Sequence, residues 1–363
     1  MFASSVTTAH AQVTATVTTD NAYSFGYGGL SGLTTKFGDM EACTAAQIFS
    51  CGSGAEVYTS IPGGPNQTLY IIAYSDDGVT QGVLGTFVSG STTVLTGVGN
   101  WEVFATGIDI DPNCAGSNAP SLATINAEIV KANTRMGGAG SSVGWVGVGG
   151  GPTGFEIGEL AVGEPNDTAG GTFPQVCVSV MGTAPQWMWY NPDPSVYTNP
   201  FAAPAPPGEF LIFRLLPEIT SFCFGDGASG LCPCGNNSTV GLNSGCLHSQ
   251  GGAARLVYAG TQGASLKLLC TGMPFNALCS LQRAAHVSVI PFTAGDGLSC
   301  LSPGAFVFAT QPQIAVGGTK MFLVNPTAFG QTRYFQVQYR DAINPSYCTP
   351  STLNYSNAIA FGW

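Results

Sequence analysis

The chain has 363 residues, 8% of them charged and 44% hydrophobic, with 50 glycines, 23 prolines and a net charge of −10. This apolar content is too high for a solvated disordered chain, and so few Lys and Arg residues exclude a surface suited to nucleic acid. The apolar runs are too short for a transmembrane helix.

Length and charge distribution predict two domains. Residues 1–216 hold sixteen acidic against four basic side chains, net −12, whereas residues 217–363 hold four against six, net +2. We expect domains at 12–216 and 222–363, joined by a linker at 217–221. Abundant Gly, Pro, Thr, Ser and Val predict a mainly all-β fold. Each domain is expected to be a β-sandwich or jelly roll, with one or two short helices in the first.

The first twenty residues are treated as a separate N-terminal segment. Ala9-His10-Ala11 resembles a signal-peptidase site, so residues 1–11 are interpreted as a signal remnant or as a flexible terminus. Alternating apolar and hydroxyl residues at 13–18 predict a half-buried first strand.

Elements of the first domain follow in chain order. Asp39 predicts the N-cap of a short helix, and strands at 69–74 and 83–87 around a Ser-Asp-Asp-Gly turn predict a hairpin. Ser121 predicts the cap of a helix over 121–133 with Ile125 and Ile129 on one face. Further strands are expected at 101–106, 144–148, 155–162, 176–181, 186–190 and 209–215.

The second domain shows no helical period. Seven strands separated by turn-rich stretches are predicted there, a spacing typical of a sandwich. They span residues 254–259, 264–270, 286–292, 305–309, 320–324, 334–340 and 357–363.

Twelve cysteines predict disulfides and an extracellular location, because dense thiols beside three histidines are typical of oxidised secreted proteins. Cys232-Pro-Cys234 is one residue too short for a zinc-binding pair. In the first domain, chain proximity favours Cys43–Cys51 with Cys114–Cys177, one of three arrangements. The pairing of the other eight stays open: Cys223, Cys232, Cys234, Cys246, Cys270, Cys279, Cys300 and Cys348.

Two further sets of side chains are candidate binding sites. Trp187, Trp189 and Tyr190 share one strand; the two indoles form either an exposed platform for sugar rings or part of the core. Asp109, Asp111 and Asn113 alternate as calcium ligands do, without the distal Glu of a calcium loop, or else stabilise a turn. No other cofactor is expected.

Candidates for proton chemistry are few. His248, two residues after Cys246, is the histidine with the most suggestive neighbours for a ligand or base. Two of the carboxylates Glu102, Glu156, Glu159 and Glu164 would suit glycoside hydrolysis if they converged in space.

From Phe222 onward the chain resembles a carboxy-terminal module of secreted or surface proteins of bacteria. The residues that carry this resemblance are Cys223-Phe-Gly-Asp-Gly, Cys232-Pro-Cys-Gly-Asn-Asn237, Gly245-Cys246, Gly272-Met-Pro274, Gly295-Asp-Gly-Leu-Ser-Cys300, Tyr334 to Arg340 and Cys348 to Asn354. The resemblance implies export and a β-sandwich, and it brings no active site. Cys270 and Cys279 flank Gly272-Met-Pro274, and whether they form a bridge stays open.

These observations favour a non-enzymatic extracellular structural protein, either a surface or matrix component or a subunit of a filament or layer. It would associate with itself or with other extracellular proteins, and the first strand would add to a neighbouring subunit's sheet. The alternatives are a carbohydrate-binding or adhesive module that uses the aromatic face, and a hydrolase that uses two carboxylates.

Overall fold

A computed structural model describes residues 12–50, 56–62, 68–76, 78–90, 92–110, 112, 118–134, 142–151, 156–167, 171–202, 209–262, 265–324, 332–341 and 352–362. The fold is all-β, with antiparallel pairing throughout and few helices. In these ranges the longest helix has 13 residues, which is too short to cross a membrane.

The chain forms two compact units that divide between Leu216 and Pro217. The predicted linker over 217–221 is wrong, because Glu218–Phe222 is a strand of the second unit (β12). It pairs along its whole length with the final strand of that unit, and these main-chain hydrogen bonds hold it in the sheet. Pro217 alone lies between the last strand of unit 1 and the first strand of unit 2.

Unit 1 contains two sheets. The first has the order β4-β1-β6-β10-β9, with β7 on β6, and the second has the order β3-β2-β5-β11-β8. The strands of the first sheet are β1 (Gln12–Asp20), β4 (Glu56–Pro62), β6 (Gly82–Ser89), β7 (Thr92–Leu95), β9 (Glu159–Pro165) and β10 (Gln186–Asn191). Those of the second are β2 (Ala22–Gly29), β3 (Gly32–Glu41), β5 (Thr68–Tyr74), β8 (Asn100–Ala105) and β11 (Leu211–Leu216).

The core of unit 1 lies between these sheets, as in a β-sandwich. Val13, Ala15 and Val17 alternate along β1 and are fully buried in the same apolar cluster as Phe25 and Ile71 of the opposite sheet. Burial of these faces is the main stabilising contribution to such a fold. The first predicted strand is therefore present, and it extends to Asp20.

Three helices occur in unit 1: α1 (Ala45–Ile48), α2 (Leu122–Thr134) and α3 (Val178–Met181). The second matches its prediction: the Ser121 hydroxyl accepts a hydrogen bond from the backbone N–H of Thr124 at 3.1 Å, and Ile125 and Ile129 are buried. The predicted cap Asp39 is wrong, because it lies in β3, and Thr44 caps α1 instead.

Two strand predictions and one predicted hairpin in unit 1 are also wrong. The segment 176–181 contains α3 rather than a strand, and 144–148 forms only isolated bridges. The hairpin of β5 with β6 does not exist, because β6 pairs with β1 while β5 pairs with β2 and β11 in the other sheet.

Unit 2 has a six-stranded sheet of order β12-β22-β21-β15-β18, with β19 also on β15, and a three-stranded sheet of order β13-β14-β20; β16 and β17 form a hairpin. Their bounds are β13 (Arg255–Gln262), β14 (Ser265–Thr271), β15 (Ala277–Ala284), β16 (Val287–Ala294), β17 (Gly297–Leu301), β18 (Phe306–Phe308), β19 (Gln313–Ala315), β20 (Lys320–Val324), β21 (Arg333–Arg340) and β22 (Leu353–Gly362). The predictions omitted four strands of this unit: β12, β15, β17 and β19.

A small core built around disulfides covers part of one face of the six-stranded sheet. Cys223, Cys246 and Cys300 are buried there together with Leu298 and Ala358. The remainder of that face, beyond this cover, carries the cavity described next.

Candidate functional site

A cavity of about 300 Å³ opens on the six-stranded sheet of unit 2. Its walls come from β15, from β21, from the end of β18 with its connection to β19, and from the first residue of β22. The apolar part of the lining comprises Leu278, Phe308, Pro312 and Leu353, and the polar part comprises Ser280, Thr310, Gln311, Gln338 and Arg340, with Tyr339 completing it.

The strand period explains why these side chains meet. Cys279 and Leu281 are buried, so Leu278 and Ser280 take the opposite face of β15. Ser280 lies opposite Gln338 of β21. On the other side of β15 the pairing with β18 ends at Gln282 and the pairing with β19 begins at Cys279. The residues between the two short edge strands form one wall of the cavity.

The polar side chains of the cavity differ in whether they already have partners within the protein. Gln338 accepts a hydrogen bond from Gln282 at 3.1 Å and donates one to the Tyr355 hydroxyl at 3.1 Å, so its amide is fixed in orientation. The side chain of Arg340 is exposed and, among the described residues, has no ion pair. Arg340 is also the one charged residue of the lining, which makes the cavity suited to a ligand that bears a negative charge.

The tryptophan platform is contradicted by the structure. Trp187 is fully buried and Trp189 is 4% exposed, and both belong to the core between the sheets of unit 1. The Trp187 ring stacks on Phe173 with centroids 3.9 Å apart. Tyr190 is also buried and donates a hydrogen bond from its hydroxyl to the carbonyl of Ile157 at 2.9 Å. The aromatic strand is core because β10 is an interior strand, covered on both faces.

The cysteine predictions are confirmed for most of the described residues and wrong for two. Disulfides join Cys223 to Cys300 and Cys232 to Cys246. Cys43, Cys177 and Cys234 are also disulfide-bonded. The remaining candidates Cys51, Cys114 and Cys348 lie outside the described residues, and so does the proposed pairing in the first domain.

Cys270 and Cys279 are free thiols, contrary to the prediction that they form disulfides. Both are buried on the core side of unit 2. Burial raises the pKa of the Cys279 thiol to about 11 and that of Cys270 above its ordinary value. A thiol held in its protonated form is a poor nucleophile, so these two cysteines serve as core residues.

The calcium prediction gains no support. Asp109 is exposed, and Asp111 and Asn113 lie outside the described residues. Within the described ranges, no group of three or more His, Cys, Asp and Glu side chains is arranged to hold a metal ion.

His248 has both ring nitrogens occupied by backbone groups. Nδ1 accepts a hydrogen bond from the N–H of Gln250 at 3.1 Å, which leaves Nε2 to donate to the carbonyl of Gly272 at 3.0 Å. Burial lowers the pKa of the ring and favours this neutral form. The nearby Asp341 carboxylate accepts hydrogen bonds from the backbone and the hydroxyl of Ser249. Histidine and serine therefore do not contact each other as base and nucleophile.

Two of the four carboxylates considered for hydrolysis have structural partners. Glu102 pairs with Arg214, with Nη2 2.7 Å from the carboxylate, and the guanidinium stacks on Trp145 at 3.9 Å. Glu164 accepts hydrogen bonds from successive backbone N–H groups that begin at Gly171. Neither carboxylate is therefore arranged with a second carboxylate as an acid and base pair.

The motif residues of unit 2 build the disulfide core rather than a site of chemistry. A Cβ atom at Gly225 would lie 2.3 Å from the backbone nitrogen of Cys246, so this close approach requires glycine. The Asn236 amide donates to the carbonyls of Leu247 and Asp296 at 2.7 and 2.8 Å. Glycine and asparagine are therefore needed at these positions by the fold.

No known family model matches the chain, and no curated protein or solved structure is significantly similar to it. The similarity of residues 222–363 to exported bacterial modules thus stays a prediction that rests on the motif residues.

Proposed function

We propose that the protein is a non-enzymatic structural protein of the extracellular space, a component of a surface or matrix or a subunit of a filament or layer. One observation carries the proposal: three of the side chains considered for proton chemistry, His248, Glu102 and Glu164, are engaged in internal hydrogen bonds or an ion pair. His248 binds backbone groups on both sides, Glu102 is paired with Arg214, and Glu164 accepts from backbone N–H groups.

The covalent framework of unit 2 supports the same proposal. Two of its cross-links span 77 and 14 residues, and their four cysteines are at most 3% exposed. Buried disulfides restrict the unfolded chain and are shielded from reductants, which suits a protein that persists in an oxidising environment.

Assembly through an exchanged first strand is not supported. β1 is an interior strand that pairs with β4 on one side and β6 on the other, and its apolar face is fully buried. Detaching it would expose both neighbours and the core. The opposite charge balance of the two halves, −12 and +2, supports instead an electrostatic attraction between unit 1 of one copy and unit 2 of another.

The test is the association state of the oxidised full chain. Light scattering after gel filtration, across a range of protein concentrations at low and high salt, is expected to show oligomers that dissociate as salt rises. Electron microscopy of the native extracellular material is expected to show ordered polymers that contain the chain. A monomer at every concentration, together with diffuse material in the micrographs, would contradict the proposal. So would hydrolysis of a polysaccharide by the purified protein that is lost on Glu164→Gln.

A further inference from the structure

We propose that the cavity between β15, β21 and the β18–β19 connection binds a sugar residue that carries a carboxylate, such as the uronic acid of an extracellular polysaccharide. The inference goes beyond the structural role and does not depend on it. It also differs from the aromatic face discussed above, because the cavity lies in unit 2 and contains no tryptophan.

The size and the shape of the cavity indicate a small ligand. About 300 Å³ is at the lower end of the range for small-molecule sites, roughly 300–1000 Å³. An extended peptide cannot add to the edge of β15 here, because β18 and β19 already pair with it on either side of the cavity.

The mixed lining indicates a sugar rather than a wholly apolar ligand. Phe308 is 58% exposed and Leu278 is 42% exposed, so an apolar wall is available to the C–H face of a sugar ring. The exposed amide of Gln311 lies beside this wall and can bind sugar hydroxyl groups, whereas the Thr310 hydroxyl already accepts a hydrogen bond from the backbone N–H of Leu281 at 3.1 Å. The hydrocarbon chain of a fatty acid would cover the Gln311 amide without offering it a hydrogen bond, which is unfavourable.

The charge of the cavity indicates a carboxylate. Arg340 is unpaired within the described part of the chain, and its planar guanidinium suits a carboxylate in a two-point contact. The adjacent acid, Asp341, is fully buried and is held by Ser249, so it does not occupy the guanidinium. A single arginine beside apolar walls is less suited to a phosphate, for which clusters of basic residues are typical.

The structure offers two matched control positions. Phe275 is 66% exposed in the same unit and does not line the cavity, so Phe275→Ala matches Phe308→Ala. Arg283 is likewise an exposed arginine of the six-stranded sheet outside the cavity, so Arg283→Ala matches Arg340→Ala. All four side chains are exposed or outside the core, and we expect each variant to keep the circular dichroism spectrum of the parent.

The experiment is calorimetric titration of the oxidised full chain with three probes: a trimer of galacturonic acid, a neutral trimer of glucose, and hexanoate. We expect the acidic trimer to bind, the neutral trimer to bind about tenfold more weakly, and hexanoate not to compete. Arg340→Ala and Phe308→Ala are each expected to weaken binding of the acidic trimer about tenfold, the loss of one charge-assisted or stacking contact. The two control variants are expected to bind as the parent does.

Each other outcome overturns the inference. Absence of binding at millimolar acidic trimer removes the site, and equal affinity for the neutral trimer removes the role of the charge. Tighter binding of hexanoate shows that the apolar wall serves a different ligand. Binding that survives both cavity variants shows that the acidic trimer binds elsewhere. None of these results alters the association state, so the structural role is tested separately.

Discussion

The stability of unit 2 provides a direct test of the cross-linked framework. The disulfide between Cys223 and Cys300 closes a loop with a separation of 77 residues, for which the chain-entropy relation gives about 4.5 kcal/mol. For the 14-residue separation of Cys232 and Cys246 it gives about 3 kcal/mol. We therefore expect Cys223→Ala/Cys300→Ala to be the more destabilising of the two double substitutions.

The control for this experiment is Cys270→Ala/Cys279→Ala, which also removes two buried sulfur atoms but no covalent bond. The difference between the two double variants isolates the cross-link. With a urea dependence of about 2 kcal/mol per M, a difference of about 4.5 kcal/mol separates their midpoints by about 2 M.

Hydrogen exchange measured by mass spectrometry on peptides of β21 and β22, across a urea series without reductant, reports the unfolding of unit 2. Trp101, Trp145, Trp187 and Trp189 lie in unit 1, so indole fluorescence in a Trp363→Phe background reports that unit separately. We expect the fluorescence transition to be unchanged. Equal urea midpoints of unit 2 in Cys223→Ala/Cys300→Ala and in Cys270→Ala/Cys279→Ala would refute the argument from chain entropy.

Three other outcomes are expected. Glu102→Gln leaves the buried guanidinium of Arg214 without its charged partner, and we expect it to destabilise unit 1 by about 3 kcal/mol in urea titrations followed by fluorescence. The double substitution Glu102→Leu/Arg214→Met is expected to restore part of this loss. Burial lowers the pKa of His248, so the unfolded state binds more protons than the folded state. The contribution of this residue to the free energy of unfolding of unit 2 is therefore complete above about pH 6.5 and decreases as the pH falls below that value. His248→Gln should remove this pH dependence. Titration with a thiol reagent in urea should find two fewer free thiols in Cys270→Ala/Cys279→Ala than in the parent, while the same thiols in the native protein stay unreactive.

Local patterns in the sequence were sufficient to predict most strands and the longest helix. Alternation at 13–18 predicted β1, and Ser121 with its apolar positions predicted α2, because both signals arise from residues close in the chain. The pairing partners of the strands, in contrast, could not be predicted from local patterns. The turn after Tyr74 indicated a hairpin, yet β5 and β6 lie in opposite sheets, since burial of both strands against the core decides their partners.

The candidate site could not be predicted for the same reason. The strand that contains Leu278 and Ser280 was not recognised, because it mixes small, polar and apolar residues without clear alternation. The cavity joins it to residues as distant in the chain as Leu353. The one local signal was the alternation of Gln336, Gln338 and Arg340, which places three polar side chains on one face of β21 and ends in a positive charge.

The tryptophans show an ambiguity that a local pattern cannot resolve. Trp187 and Trp189 share one strand face, which is compatible with a platform or with a core, and only the positions of β6 and β9 on either side of β10 decide between them. Likewise, the sequence left open whether Cys270 and Cys279 form a bridge, and the structure shows that both are thiols.

The pairing of β12 with β22 has a consequence for biosynthesis. Glu218 lies opposite Gly362, so the sheet of unit 2 is complete only when both strands have been translated. In a nascent chain that ends at β21, the edges of β12 and β21 that later pair with β22 are still unpaired. Strands of other chains can pair with these edges. Holdase chaperones and delayed oxidation of the thiols during synthesis would therefore favour recovery of native protein.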